Sequence, residues 1–274
     1  DNNYTINGIS SFYQILLKLN KKKVKKIFIP DLICESLLIP IKKLQFKYKF
    51  YKVDENLNSN YIPAENTAIL IIHYFGRINN NLKLLKIESL KKKIHIVEDI
   101  SHCYLNKNFL FDRNSDFFFS LRKHGILGPG GWGSIDFNLN KITLKEKDIL
   151  KKNFKLRIKK NLLILKDDYS FSEKQILYKF KKINNSLNNK ISNSFVGKNY
   201  KKNLLSFNLN LLIKKRISNW NYLDNFIGKK FKKIYSGVNE NKVPLGYIIF
   251  HKNRDKLRNY LIKKRIFCGV HWQS

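Results

Sequence analysis

Methionine is absent from the 274 residues, alanine occurs only at Ala64 and Ala68, and cysteine, proline and glycine number three, five and twelve. Cys34, Cys103 and Cys268 lie far apart without C-x-x-C spacing, which excludes a disulfide framework or a cysteine zinc site and fits a reducing cytoplasm. No apolar run approaches the ~20 residues that cross a bilayer. Asp1-Asn2-Asn3-Tyr4 lacks the layout of a signal peptide, so a soluble chain without membrane insertion is expected. The lack of methionine, position 1 included, is what a segment of a longer or processed product would show. Carboxylates are also scarce, 20 against 54 lysines and arginines, giving a formal charge of +34.

Hydrophobic residues make up 43% and aromatics 14%, enough for a buried core at this length. The positive excess is almost all lysine, spread from Lys18 to Lys264, in company with abundant asparagine and isoleucine. Spread lysine without a localised patch or interleaved aromatics reads as solvated surface, so nucleic acid is not the expected partner.

The apolar periodicity predicts a helix after Gly8, with Phe12, Ile15, Leu16 and Leu19 on one face and serines at its start. Lys26–Pro30 reads as a strand, Glu35–Leu44 as a helix and Lys47–Val53 as a strand. Ala68–His73 and Ile94–Asp99 are continuous apolar runs on either side of a helical Asn81–Lys92, and Asp116–Ser120 and Trp132–Phe137 complete the strands. Buried runs alternating with helices imply an α/β fold with a mostly parallel sheet. Residues from Thr143 to about Asn185 and from Leu204 to Phe226 read as helical. The tail reads as a small α+β unit: strand Val243–Phe250, helix Arg254–Lys264 and strand Ile266–Val270. The organisation expected is a large unit over 1–145, then a helical connection and small C-terminal unit over 146–274.

Ligands in such sheets gather at the carboxyl ends of strands, where Asp99 and His73 fall. Lys123 stands in a stretch with few charges, Phe119 to Gly131, which ends in glycines that allow close backbone approach to a ligand. A desolvated lysine amine loses its proton more readily and can form a Schiff base with an aldehyde cofactor, while a carboxylate holds a pyridine nitrogen protonated. Gly8, Ser10 and Ser11 at a helix start form a candidate phosphate cradle. Each feature also has a plain structural role, as a strand-end turn, a solvated lysine or a helix cap. No G-x-G-x-x-G joins a strand to a helix and no Walker motif occurs, so those nucleotide loops have no support.

Taken in order, these pieces resemble the DegT/DnrJ/StrS family of pyridoxal-phosphate-dependent sugar aminotransferases. The resemblance rests on Asn7-Gly8-Ile9-Ser10-Ser11, Ile29-Pro30-Asp31, Ile72-His73-Tyr74-Phe75-Gly76, Glu98-Asp99-Ile100-Ser101-His102, Ser120 through Gly131, and Gly197-Lys198-Asn199-Tyr200-Lys201. The tail from Val243-Pro244 through Arg254-Asp255 to Ile266–Trp272 is similar as well. The resemblance implies an aspartate-aminotransferase-like fold with pyridoxal 5'-phosphate on Lys123, Asp99 at the ring nitrogen and His102 near the ring hydroxyl. It further implies Gly8, Ile9, Ser10 and Ser120 around the phosphate, and Asn199 reaching the phosphate of a neighbouring subunit in a homodimer. The chain departs from the pattern at Ile9, where a hydroxyl residue is common, at Cys34, where an aromatic often stacks, at Lys201 for arginine, and in a shortened Ser120–Lys123 interval. The function expected is amino transfer from glutamate to a nucleotide-linked keto-sugar in surface polysaccharide precursor synthesis. Two other readings remain: a non-catalytic relative with a binding or regulatory role, and a basic nucleic-acid-binding protein.

Overall fold

A computed structural model describes residues 4–107, 114–124, 129–134, 139–165, 171–188, 190–196, 208–234 and 236–269. Strand β1 (Tyr4–Thr5) leads into α1 (Gly8–Lys21), followed by β2 (Lys26–Pro30), a 3-10 turn at Glu35–Leu37, α2 (Leu38–Lys43) and β3 (Lys47–Tyr51). Next come β4 (Ala68–Ile72), α3 (Leu82–Lys92), β5 (His95–Asp99) and β6 (Ser115–Ser120), then a 3-10 turn over Leu121–His124. The remaining elements are β7 (Gly131–Gly133), β8 (Asn140–Lys141), α4 (Leu144–Leu165), α5 (Phe171–Asn188), β9 (Ser194–Phe195), α6 (Leu209–Ile227), β10 (Lys232–Lys233), β11 (Ile249–Phe250) and α7 (Arg254–Lys263).

One sheet runs β3-β2-β4-β5-β6-β7-β1-β9-β8. The five strands from β3 to β6 are parallel to one another, whereas β7 pairs antiparallel with both β6 and β1. The run Ala68-Ile69-Leu70-Ile71-Ile72 shows why: all five residues are buried, and alternate side chains serve opposite faces. Ala68, Leu70 and Ile72 join Phe12, Ile15, Leu16 and Leu19 of α1 in one core. Ile69 and Ile71 join Leu85 of α3 in the other. Phe12 stacks on Phe118 of β6 with ring centroids 4.9 Å apart, which seats α1 across the strands that carry the site.

The same alternation separates two neighbouring carboxylates on β5. Glu98 turns towards α3, where its Oε2 accepts from His73 Nε2 at 2.8 Å and its Oε1 lies 3.2 Å from Lys86 Nζ and accepts from Ser115 Oγ. His73 Nδ1 accepts from Asn79 N at 3.1 Å, so the ring proton sits on Nε2 and is donated to Glu98. Burial pushes the Glu98 carboxyl up, but these hydrogen bonds and the Lys86 charge outweigh it and hold the group at about 2. Glu98 thus anchors the fold, and Asp99 is left for the opposite face.

Three expected strands differ. Within Val243–Phe250 only Ile249–Phe250 is a strand, paired with Lys232–Lys233; Val243 N and Leu245 N donate instead to Asn106 Oδ1 and Phe75 O. This run is apolar because Leu245, Tyr247 and Ile248 cover the α1-side core. Ile266–Gly269 forms no strand, and residue 270 lies outside the described residues. The Trp132 strand is β7, shifted to Gly131–Gly133, and 135–137 lie outside the described residues. No described helix is long and apolar enough to cross a membrane.

Glu98→Gln should destabilise the fold by about 1–3 kcal/mol at neutral pH, because it removes the charge that Lys86 faces while burying the amide among the same partners. A depressed carboxyl contributes stability that is fully present above its ordinary value of 4.5 and lost as pH falls towards about 2. Denaturant titrations across that window should therefore show a steeper pH dependence for the parent than for the variant.

Candidate active site

The site begins at the N-terminus of α1. Asn7 caps it, with Oδ1 accepting from Ser10 N at 2.8 Å. That leaves the N–H groups of Gly8 and Ile9 in the first turn, which has no intrahelical carbonyl to take them. The approach of this turn to the sheet depends on glycine: a Cβ on Gly131 would lie 2.3 Å from the Asn7 carbonyl, and one on Gly8 would lie 3.0 Å from Ser120 Cβ. Both contacts press the helix start against the ends of β6 and β7.

Gly8, Ile9, Asp99, Ser120, Arg122 and Lys123 line one cleft at this point. Asp99 ends β5 and is 8% exposed, with Oδ1 accepting from Ser101 N at 2.9 Å. Burial raises its carboxyl above the ordinary range, offset in part by Ser101 and the Lys123 charge. Lys123 stands on the 3-10 turn after β6. Burial lowers its amine, the adjacent Arg122 charge lowers it further, and Cys34 and Asp99 pull it partly back. Ser120 N donates to Ser101 Oγ at 3.0 Å, which ties the end of β6 to the turn after β5.

Two other expected site residues, Ser10 and His102, are placed differently. Ser10 is fully buried with its hydroxyl turned to the chain beyond α5, accepting from Ser192 N at 3.0 Å. His102 accepts at Nδ1 from Phe75 N at 3.1 Å and stacks on the Phe75 ring, centroids 5.6 Å apart; neither Ser10 nor His102 is among the residues lining the cleft. Asn199 lies outside the described residues. Cys34 does line the cleft, with Sγ 3.1 Å from Ser36 Oγ.

Sequence reasoning missed Arg122, Ser101, Asn184 and Leu187. Ser101 was locally legible, since Asp99-Ile100-Ser101 has the spacing of a side-chain turn. Arg122 was visible beside Lys123. Asn184 and Leu187 come from α5, and nothing in the local sequence places that helix over the site. Asn7 does so physically: its Nδ2 donates to Leu187 O and, at 2.8 Å, to Lys190 O. Asn184 and Leu187 thus line a cleft of about 60 Å³.

The sequence matches no family model and no curated protein. Its structure is similar to that of a DegT DnrJ EryC1 StrS aminotransferase from Brucella abortus, with TM-score 0.65 and 15% identity over 99% of this chain and 71% of that one. DesV from S. venezuelae is similar at TM-score 0.62 and 16% identity, over 98% of this chain and 69% of that one. The sugar aminotransferase CalS13 from Micromonospora echinospora gives TM-score 0.61 and 15% identity, over 97% and 72%. An aspartate aminotransferase from Thermotoga maritima follows at 0.55 and 12%, over 97% and 66%. The fold is therefore aspartate-aminotransferase-like, of the α/β class expected from the strand and helix pattern.

Gly131→Ala should destabilise the protein by about 1–3 kcal/mol, because the added carbon meets backbone that cannot yield as a side chain would. Gly246→Ala, whose nearest neighbour would be Ile248 Cδ1 at 3.8 Å, should be close to neutral. Thermal midpoints of the two variants check the contrast.

Proposed function

We propose that this chain is a pyridoxal-phosphate-dependent aminotransferase acting on a sugar. The observation that carries the reading is that Asp99 and Lys123, from the ends of two adjacent strands, line one cleft with the first turn of α1. The donor set suits the cofactor at each end. Gly8 and Ile9 N–H groups, Ser120 and the Arg122 guanidinium suit a phosphate. The glycines at 8 and 131 let the helix start sit against Ser120 and the start of β7, where a Cβ would collide. Asp99 would hold the ring nitrogen, and a carboxyl raised by burial gains most from a cationic neighbour.

When bound, pyridoxal phosphate supplies an aldehyde and a ring that accepts electrons. Lys123 does the rest of the chemistry assigned to this chain. Its lowered amine is neutral more often than a surface lysine, so Nζ serves as a nucleophile and then carries a proton to and from the substrate carbon. Asp99 would face the ring nitrogen, and proton movement is left to Lys123.

The finer reading comes from the motif order and the similarity to sugar aminotransferases. It has a nucleotide-linked keto-sugar as acceptor, glutamate as donor, and a role in surface polysaccharide precursor synthesis in the cytoplasm. A homodimer belongs to it, with Asn199 of each chain serving the neighbouring site.

Incubation of the purified protein with pyridoxal phosphate should produce a visible-range absorption band that Lys123→Ala lacks. Borohydride reduction and peptide mapping should then find the pyridoxyl group on Lys123. A spectrally silent parent protein, or a label on another lysine, would overturn the assignment.

A further inference from the structure

The geometry points to a second binding site, for a phosphate or diphosphate group, in a cleft of about 410 Å³ between the loop after β4 and the C-terminal segment. One wall is Arg77, Asn79 and Asn80, and the other is Ser236, Asn241 and Lys242. Two cations, three amides and a hydroxyl line the space, and no carboxylate is among the described residues that line it. That chemistry suits an oxyanion with several acceptor oxygens. The volume lies within the range of roughly 300–1,000 Å³ typical of small-molecule clefts.

Hydrogen bonds beside Arg77 and Lys242 join the two walls. Asn106 is buried and joins them, donating to Gly76 O at 2.8 Å and accepting from Val243 N at 2.8 Å. Leu245 N donates to Phe75 O at 3.0 Å, and Gly76 adopts φ +105°, where a Cβ would lie 2.1 Å from Val243 O. Arg77 is half-buried, and its NH1 donates to Asn56 O at 3.2 Å, which holds the guanidinium in place with other N–H groups still available. Asn79 Oδ1 accepts from Asn81 N, so its Nδ2 is the donor it can offer. A held guanidinium on a rigid wall is what separates this cleft from the many lysines in open solvent.

The inference does not rest on the Lys123 reading, since the two clefts share no lining residue. Isothermal titration of the full chain with inorganic pyrophosphate tests it, in the parent, Arg77→Gln and Arg122→Gln. A saturable site is expected that Arg77→Gln weakens about tenfold or more, the loss of a charge-assisted contact; any further site, at the phosphate cradle of the first cleft, is the one that Arg122→Gln weakens instead. Loss in Arg122→Gln alone would place the anion in the first cleft and overturn the proposal. Equal binding in all three proteins would assign it to surface lysines, and the absence of a saturable site would also overturn it. If circular dichroism shows Arg77→Gln to be unfolded, Lys242→Gln replaces it, because that exposed side chain can be changed without disturbing the core.

Discussion

The side chain of Asn7 holds the rest of the site in place. Its oxygen caps α1 while its nitrogen reaches the carbonyls of Leu187 and Lys190 at the far end of α5. One amide therefore sets the direction of a helix N-terminus and fastens a second helix across it. The cost of ordering α5 is offset locally by its own core, in which Leu187 packs with Ile6, Leu150 and Val196. Because α1 is also pressed onto Gly131, the anion-favouring end of the helix cannot drift from the ends of β6 and β7. Position is achieved by backbone contact, and backbone contact is harder to lose than a surface ion pair.

Strand alternation then divides the chemistry. Glu98 and Asp99 are adjacent in sequence but serve opposite faces of β5, and their surroundings push their carboxyls in opposite directions. Glu98 is surrounded by donors that favour its charge, so it behaves as a structural anion. Asp99 has fewer partners and a buried position, and is left with capacity for a further cationic one. A one-residue register shift would exchange these environments and lose both roles at once.

Much of this was legible in the sequence, and the limits have physical causes. Lys26–Pro30 and the apolar run ending at Asp99 announced strands because β-branched residues buried on both faces leave an unmistakable run. The spacing of Phe12, Ile15, Leu16 and Leu19 announced α1 equally well. Lys123 stood out because the stretch from Phe119 to Gly131 holds few other charges, Arg122 beside it among them, while other lysines travel in groups. The run at Val243–Phe250 misled because hydrophobicity reports burial, and a loop covering a core needs it as much as a strand does. The orientation of Ser10 could not be read either, since its partner Ser192 lies on a segment that only the folded chain brings near.

The lysine-rich composition changes what a functional lysine must be. With 54 basic residues against 20 acidic ones, positive charge by itself distinguishes nothing. A lysine in water keeps its proton and its hydration, and its charge is screened within roughly 10 Å at ordinary ionic strength. Lys123 differs because it has lost water and gained Arg122 as a close like charge, both of which favour the neutral amine. Arg122 can supply that push because its guanidinium stays protonated under conditions where an amine does not. Asp99 is the only carboxylate among the described residues lining this cleft, so it opposes the push without cancelling it. A less basic amine is thus produced by the environment of one turn, against a background in which the same residue type serves mainly as solvated surface.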